Sequence, residues 1–294
     1  SQVNISPSGK KTKILDTDGN VIKTLSAKGA NREYVSLDKI PADLQHAFVA
    51  IEDERFYKHN GVDLRGIIRA AFTGIANGGR FNEGASTITQ QLARNLYLED
   101  TMSKRSINRK ITEAYYAVIL ESKLTKDEIL EAYLNTVNFG AGYGVQTASQ
   151  AYFSKDIEDV TVAEAAALAA LPQAPTAFAL VQQVSADDIT EDTENLIVKN
   201  GDVAYVWNDA ASNRMKTCLK LMLEQGYITE AEYEEASKTE IKDIVNPTID
   251  ALNTVSNYFA DYVIKTVIQD LQDEYGYDYS RASKMVYNGG LQIY

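Results

Sequence analysis

The stretch "AFVAIEDERFYKHNGVD", residues 47–63, joins an apolar run to a dense group of charged residues. The apolar residues follow helix start signals at Asp38 and Pro41 and recur near helical spacing, which predicts a helix that ends close to Glu52. Acidic side chains are unfavourable at the carboxyl end of a helix, because the helix macrodipole is negative there. Glu52 is therefore either a solvated charge or a chemical group, and composition alone does not choose between them.

Outward from this stretch the pattern stays helical. Helices are predicted at about 64–77, 86–97, 105–122, 126–136, 144–152 and 161–171, as a pair joined at Gly226, and at about 249–274. The polar, acidic residues 181–212 are interpreted as an inserted excursion or mobile loop. Strands are predicted on both sides of the hairpin turn signal Asp18-Gly19, and a strand–turn–strand unit is predicted in "YNGGLQIY", residues 287–294. The predicted fold class is mostly α with small β pieces at both chain ends.

The overall charge argues against a nucleic-acid-binding protein. The chain has 294 residues with 45% apolar side chains, and 29 Lys and Arg against 41 Asp and Glu give a net charge of −12. Binding nucleic acid through the whole surface would need a basic footprint, so that class is excluded. The single cysteine, Cys218, excludes an internal disulfide and a multi-cysteine zinc cluster, and the two histidines lack ligand spacing, so we predict no protein metal site.

The chain lacks the long apolar run of a membrane-spanning helix, which needs about 18 residues. It does not begin with Met or with a signal-like segment. We interpret it as an excised fragment, in which case a targeting segment has been removed.

A second isolated acid is Glu113, the only charged residue in the segment 111–120. A helix that is apolar on most sides is expected to be buried on most sides. On a helical wheel one apolar face consists of Ile107, Ile111, Ala114, Tyr115, Val118 and Ile119, with Glu113 nearly opposite. A buried carboxylate is costly unless it is paired or has a chemical task. An ion pair with Arg109 and a catalytic role remain equally open from this helix alone.

Basic residues are concentrated between the two isolated acids. The segment 94–110 holds two acids and five basic residues: Arg94, Lys104, Arg105, Arg109 and Lys110. This segment is either a solvated helix face or a site for a diphosphate, whose oxygens suit arginine forks.

The stretch just before the basic segment adds polar groups. Ser86 leads into a helix whose first N–H groups would bind an anion, and the amides of Gln90 and Gln91 suit sugar hydroxyls. Together these features predict a site for a sugar diphosphate. A divalent cation, Mg or Mn, that bridges the diphosphate near Glu52 or Asp53 is an open alternative.

Five stretches, taken in order, resemble the motifs of one family. It is the peptidoglycan glycosyltransferase (transglycosylase) domain of class A, bifunctional penicillin-binding proteins, found also in monofunctional transglycosylases. The stretches are "EDERFYKHNGVD" (52–63), "GASTITQQLARN" (84–95), "RKITEAYYAVILE" (109–121), "ILEAYLNTVNFGAGYGVQTASQAYF" (129–153) and "TVAEAAALAALPQAP" (161–175). The resemblance covers the region from Asn31 to Phe178.

The resemblance implies a lysozyme-like fold of two lobes, the smaller one facing the membrane. It implies polymerisation of lipid II into β-1,4 glycan strands with inversion and release of undecaprenyl diphosphate. Glu52 would be the general base that deprotonates the attacking 4-hydroxyl, and Glu113 a second acid that assists the departing diphosphate or positions substrate. The positions matching substrate contacts of the family are Asp53, Ser86, Gln90, Gln91, Arg94, Arg105, Arg109 and Lys110, with Tyr133 and Asn135 in the cleft wall.

The family context also implies an organisation for the chain. We expect an N-terminal hairpin and linker at 1–38, the glycosyltransferase domain at 39–240, and at 241–294 a linker toward a transpeptidase domain of the full-length protein. The expected partners are lipid II, the growing glycan strand and the membrane surface. The expected location is the extracytoplasmic face of the bacterial cell membrane, with an N-terminal anchor outside this chain.

Two other functions remain open at this point. A lysozyme-like lytic hydrolase or lytic transglycosylase would share the fold and would need a Glu acid without a diphosphate site, so the basic segment 94–110 favours synthesis. A non-catalytic scaffold that binds the precursor would be indicated by loss of one carboxylate, and both Glu52 and Glu113 are present.

Overall fold

The computed structural model describes residues 12–15, 21–25, 33–68, 86–98, 107–248, 251–252, 267–278, 281–282 and 285. Helices make up most of these residues, as the predicted fold class requires. The helices are α1 (Ala42–Glu52), α2 (Ile88–Tyr97), α3 (Ile107–Glu121), α4 (Lys126–Leu134), α5 (Val145–Phe153), α6 (Val162–Ala170), α7 (Pro175–Phe178), α8 (Ser212–Glu224), α9 (Glu230–Ala236) and α10 (Ile241–Ile244). Residues 64–68 and 267–275 are also helical.

The predicted helices between residues 86 and 171 are confirmed with small shifts of their ends. Local capping explains part of this accuracy. Helices α2, α4, α6 and α9 each begin after a Thr whose side chain bonds the backbone N–H three residues later, while the Gln or Glu there bonds back. Such capping boxes satisfy N–H groups that have no partner within the helix. The sequence alone therefore marks where these four helices begin.

Strands β1 (Thr12–Leu15) and β2 (Val21–Leu25) pair antiparallel, with Thr12 opposite Leu25, so the predicted N-terminal hairpin is confirmed. The Asp18-Gly19 turn itself lies outside the described residues, as do residues 69–77 and 287–294 and most of the predicted helix at 249–274.

The interpretation of residues 181–212 as a loop was wrong. The segment forms a three-stranded antiparallel sheet in the order β3 (Val181–Ser185), β5 (Val203–Trp207), β4 (Leu196–Asn200). Residues 204–206 of the central strand β5 are buried, and β5 pairs with both β3 and β4. The acidic residues of the connections dominate the composition of this segment, and they concealed the short strands between them.

Helix α1 lies at the centre of the core and packs against α6 and α8. Its inner residues Ala47, Phe48 and Val49 are fully buried, and burial of a side chain such as Phe48 stabilises the fold by roughly 2–3 kcal/mol. The six consecutive residues 165–170 of α6 are also fully buried, and five of them are alanine, which lets the helix backbones approach closely. The end of α1 at Glu52 therefore lies where three helices meet.

Helix α3 was expected to be buried on most sides, but one of its apolar faces is exposed. Ile111, Tyr115 and Val118 on that face are 62%, 64% and 51% exposed. The face that holds Glu113 and Ala117 is the buried one, since α3 packs on α2 and the backbone near Gly61 comes against Ala117. The periodicity located an apolar face correctly but did not say what covers it. Within the described ranges no helix is long and apolar enough to cross a membrane.

Gly61 marks the tightest approach of the acid-rich segment to α3, and replacing it tests this contact. Its φ is +93°, and an added Cβ would lie 2.8 Å from both the carbonyl carbon and the oxygen of Ala117. Gly226 is a matched control, because its φ is +77° and an added Cβ would have no atom within 4 Å. We expect Gly226→Ala to lower the free energy of unfolding by about 1 kcal/mol and Gly61→Ala by about 2 kcal/mol more. Equal losses in denaturant titrations would show that the contact is not tight.

Candidate active site

The carboxylate of Glu52 is held by two donors from distant parts of the chain. Its Oε2 accepts a hydrogen bond from Gln91 Nε2 at 2.8 Å, and its Oε1 accepts one from Arg214 Nη2 at 2.5 Å. The side chain is 10% exposed. Glu52 is therefore not a solvated charge at a frayed helix end, and each oxygen keeps lone pairs available to a ligand.

Tyr133 fixes which way the Gln91 amide faces. Tyr133 is fully buried in α4, and its hydroxyl donates to Gln91 Oε1 at 3.0 Å. Burial and the nearby negative charge of Glu52 raise the pKa of Tyr133 well above 10, although Arg94 and Arg214 act the other way. Because the hydroxyl keeps its proton, it acts as the donor, and the Gln91 NH₂ group is left to face Glu52.

Arg214 was missed by the sequence analysis. It lies in the first turn of α8, where its Nε donates to the carbonyl oxygen of Ala170 at 3.1 Å while Nη2 reaches Glu52. The available signal was its position four residues before Cys218 and one before Met215, both on the buried face of α8. A cation on the apolar stripe of a helix calls for a buried partner, and Glu52 is that partner.

Asp53 makes its contacts inside the protein. Its carboxylate accepts hydrogen bonds from His59 Nε2 at 2.8 Å and from the backbone N–H of Ile88 at 3.0 Å. His59 Nδ1 accepts from the N–H of Gly61, so the ring proton is on Nε2. These bonds fasten the segment after Glu52 to the start of α2. The geometry gives Asp53 a supporting position beneath the site, with its side chain 4% exposed.

Most of the backbone donors at the start of α2, where the sequence predicted an anion site, are bonded within the protein. Thr87 is the N-cap, its hydroxyl accepts from the N–H of Gln90, and the Gln90 side chain accepts from the N–H of Thr87. The N–H of Ile88 is bonded to Asp53. The N–H groups of Thr87, Ile88 and Gln90 are therefore satisfied within the protein, and Gln90 is 3% exposed.

Glu113 is the centre of a cationic cluster. Its side chain is 1% exposed and lies 3.3 Å from Arg109 Nε and 3.1 Å from Lys110 Nζ. Lys110 also donates to the Ser86 hydroxyl. The predicted ion pair with Arg109 is confirmed, and it does not exclude a chemical role, because Lys110 is 47% exposed and can reach a ligand. Arg105, also predicted here, lies outside the described residues.

Helix α2 connects the two groups of residues. Gln91 in α2 contacts Glu52, and Ser86, just before α2, contacts the cluster around Glu113. Asn135, predicted in the cleft wall, bonds the backbone of Val35 through both its amide nitrogen and its oxygen. One side of the site thus offers a fixed carboxylate and the other offers cations, the division of roles that displacement of a diphosphate by a hydroxyl requires.

The sequence model of the transglycosylase family matches residues 18–201, more than half of the chain. The chain belongs to the transglycosylase family. The mostly α architecture described above is consistent with the lysozyme-like fold of that family. The match includes Glu52, Glu113 and the basic cluster but ends before Arg214.

Relatives of this transglycosylase include several penicillin-binding proteins 1A. That of Clostridium perfringens strain 13 is 38% identical over 287 residues, which are 96% of this chain and 39% of the relative. That of Escherichia coli K12 is 36% identical over 282 residues, 96% of this chain and 28% of the relative. The chain thus spans between a quarter and two fifths of their lengths. The crystal structure of penicillin-binding protein 1A from Haemophilus influenzae aligns with 92% of this chain and 25% of its own, at 21% identity and a TM-score of 0.37.

Proposed function

We propose that this transglycosylase polymerises lipid II into β-1,4-linked glycan strands with inversion and releases undecaprenyl diphosphate. The observation that carries the proposal is the Glu52 carboxylate, fixed by Gln91 and Arg214 and linked through α2 and the preceding Ser86 to the cations around Glu113. An α-linked sugar diphosphate that gives a β-linked product needs one displacement, one base and a neutralised leaving group.

In the proposed reaction each group has one task. Glu52 takes the proton of the acceptor 4-hydroxyl as its oxygen bonds to C1 of the donor sugar. The bond from C1 to the diphosphate oxygen breaks, and its electron pair leaves on the diphosphate. Arg109 and Lys110 stabilise that charge, and Glu113 keeps both cations in place. Arg94 and Arg105 are proposed to extend this cationic surface.

The exposed apolar side chains of α3 support the membrane surface as a partner. Ile111, Tyr115 and Val118 share one face at spacings of four and three residues, and Leu64, Ile67 and Ile68 are exposed as well. We call Ile111, Tyr115 and Val118 the α3 patch. We propose that it rests on the membrane that holds the lipid substrate, on its extracytoplasmic face.

Replacing the α3 patch by serine tests this contact. We expect the triple variant Ile111→Ser, Tyr115→Ser, Val118→Ser to lose about tenfold or more in affinity for lipid vesicles, since apolar burial drives such binding. Tyr57→Ser is the control, because Tyr57 is 49% exposed outside the patch. Vesicle co-sedimentation measures both variants. Unchanged binding by the triple variant, with its melting temperature preserved, would remove the patch from the proposal.

We also propose that a divalent cation, Mg or Mn, binds at the diphosphate of the substrate. Among the described residues no group of three or more His, Cys, Asp and Glu side chains is placed to hold a metal ion. Asp53 is bonded to His59 and Ile88 and does not fit as a ligand. A bound cation would therefore be held mainly by the diphosphate, where it would supply additional positive charge.

Incubation with lipid II, with and without a chelator, tests the function. Long glycan strands on gels are the expected product, and a slower rate with chelator would show that a cation contributes. Cleavage of preformed glycan without polymer formation would make the chain a lytic enzyme, and binding of lipid II without turnover would make it a scaffold. The relatives' name supports the further proposal that the full-length protein carries a penicillin-binding transpeptidase domain acting on the growing strand.

A further inference from the structure

We propose that Arg214 is a positioning residue that holds the Glu52 carboxylate in the orientation needed for proton abstraction. The inference rests on the glycosyl transfer proposed above. It starts from the two hydrogen bonds of the guanidinium, Nη2 to Glu52 Oε1 at 2.5 Å and Nε to the carbonyl oxygen of Ala170 at 3.1 Å.

These two bonds place one cation between the carboxyl ends of two helices. Glu52 is the last residue of α1, and Ala170 is the last residue of α6. The last carbonyl groups of a helix have no partner within it, and the macrodipole makes that end negative. Arg214 therefore bonds an orphan carbonyl of α6 and offsets the unfavourable placement of an acid at the end of α1. This explains why Glu52 is stable at a position that helix electrostatics disfavours.

The position of Arg214 is in turn set by the packing of α8. Met215 and Cys218 are fully buried, and Cys218 Sγ lies 3.4 Å from the carbonyl oxygen of Ala47 in α1. The bond to Ala170 fixes the plane of the guanidinium, so Nη2 points at Glu52. A lysine has one ammonium group and cannot reproduce a fork with two separate acceptors in fixed directions.

Held in this way, Glu52 is ready for its task before substrate arrives. Gln91 and Arg214 each occupy one carboxylate oxygen, which fixes the plane of the carboxylate and leaves other lone pairs for the acceptor hydroxyl. A small misplacement of a reacting group lowers a rate by about 100-fold, so loss of one holding bond should lower kcat. Because Arg214 bonds Glu52 and is not assigned a contact with the substrate, we expect KM to change little.

The test compares Arg214→Met and Arg214→Lys with Lys216→Met, which removes the same charge from an exposed position of α8. With lipid II as substrate we expect kcat to fall about 30-fold for Arg214→Met and about fivefold for Arg214→Lys, with KM within about threefold. We expect Lys216→Met to match the unchanged chain.

A second experiment distinguishes a role of Arg214 in positioning Glu52 from a role in stabilising the fold. If Arg214 acts through Glu52, the double variant Glu52→Gln, Arg214→Met should have the residual rate of Glu52→Gln alone, because the group that Arg214 positions is gone. Independent, multiplying losses would overturn the inference, and so would an unchanged kcat in Arg214→Met. If Arg214→Met fails to fold, Arg214→Lys decides by the same criteria. Absence of polymer from the unchanged chain would instead refute the proposed function.

Discussion

Glu52→Gln is expected to lower the rate of lipid II polymerisation by about 10³-fold, within the range of general base catalysis. The amide keeps the size of the carboxylate and still offers an oxygen to Gln91 or Arg214, but it cannot take the proton of the acceptor hydroxyl. Because Arg214 is 21% exposed, solvent compensates part of its lost partner, and we expect the fold to persist. Rates from labelled lipid II and circular dichroism measure the two quantities.

The control for this prediction is Glu54→Gln. Glu54 lies two residues further along, is exposed, and carries the same charge. We expect its rate to stay within about twofold of that of the unchanged chain, since surface substitutions away from a site have small effects. Near-normal turnover in Glu52→Gln would remove Glu52 from the role of base, whatever the control shows.

Glu113→Gln is expected to lower the polymerisation rate by about 100-fold, less than the loss at Glu52, because it disturbs the charges on the leaving group without removing the base. The change leaves Arg109 and Lys110 without their shared anion. Because Glu113 is 1% exposed while Lys110 is 47% exposed, we expect the free energy of unfolding to fall by about 2 kcal/mol, below the full cost of breaking a buried pair.

The matched control is Glu158→Gln, which removes an acid paired with Lys39 on the surface, where both side chains are more than half exposed. Surface pairs contribute at most about 1 kcal/mol, so neither rate nor stability should change much. A rate for Glu113→Gln equal to that of the control would show that the cationic cluster around Glu113 serves only the fold.

What the sequence could predict about this fold depended on the range of the interactions. Helices α2, α4, α6 and α9 start at capping boxes formed within four residues, and both isolated acids stood out from their neighbours. The sheet at 181–207 was not predicted, because its strands are short and their burial depends on distant pairing. The exposure of one apolar face of α3 was not predicted, since periodicity identifies the faces of a helix but not what surrounds them.

The candidate site was predictable to a similar degree. The motifs contained both acids, Lys110 and Gln91, but the contacts of these residues come from tertiary structure. Gln91 contacts Glu52 across 39 positions of sequence, and Arg214 reaches it across 162. No local sequence pattern indicates contacts between residues so far apart in the chain. Arg214 was therefore identified as a partner of Glu52 only from the structure. Arg105 and the substrate contacts stay predictions.

The packing of α1, α6 and α8 around Glu52 has a consequence for folding during synthesis of the chain. Residues 52, 170 and 214 must all be present before the carboxylate acquires its partners. During synthesis from the N-terminus the chain therefore already carries both acids long before α8 exists, and the assembled site cannot form until α8 has emerged and packed. The complete site therefore forms only when the domain is nearly complete, and premature termination anywhere before residue 214 yields a product in which Glu52 lacks its partner from α8.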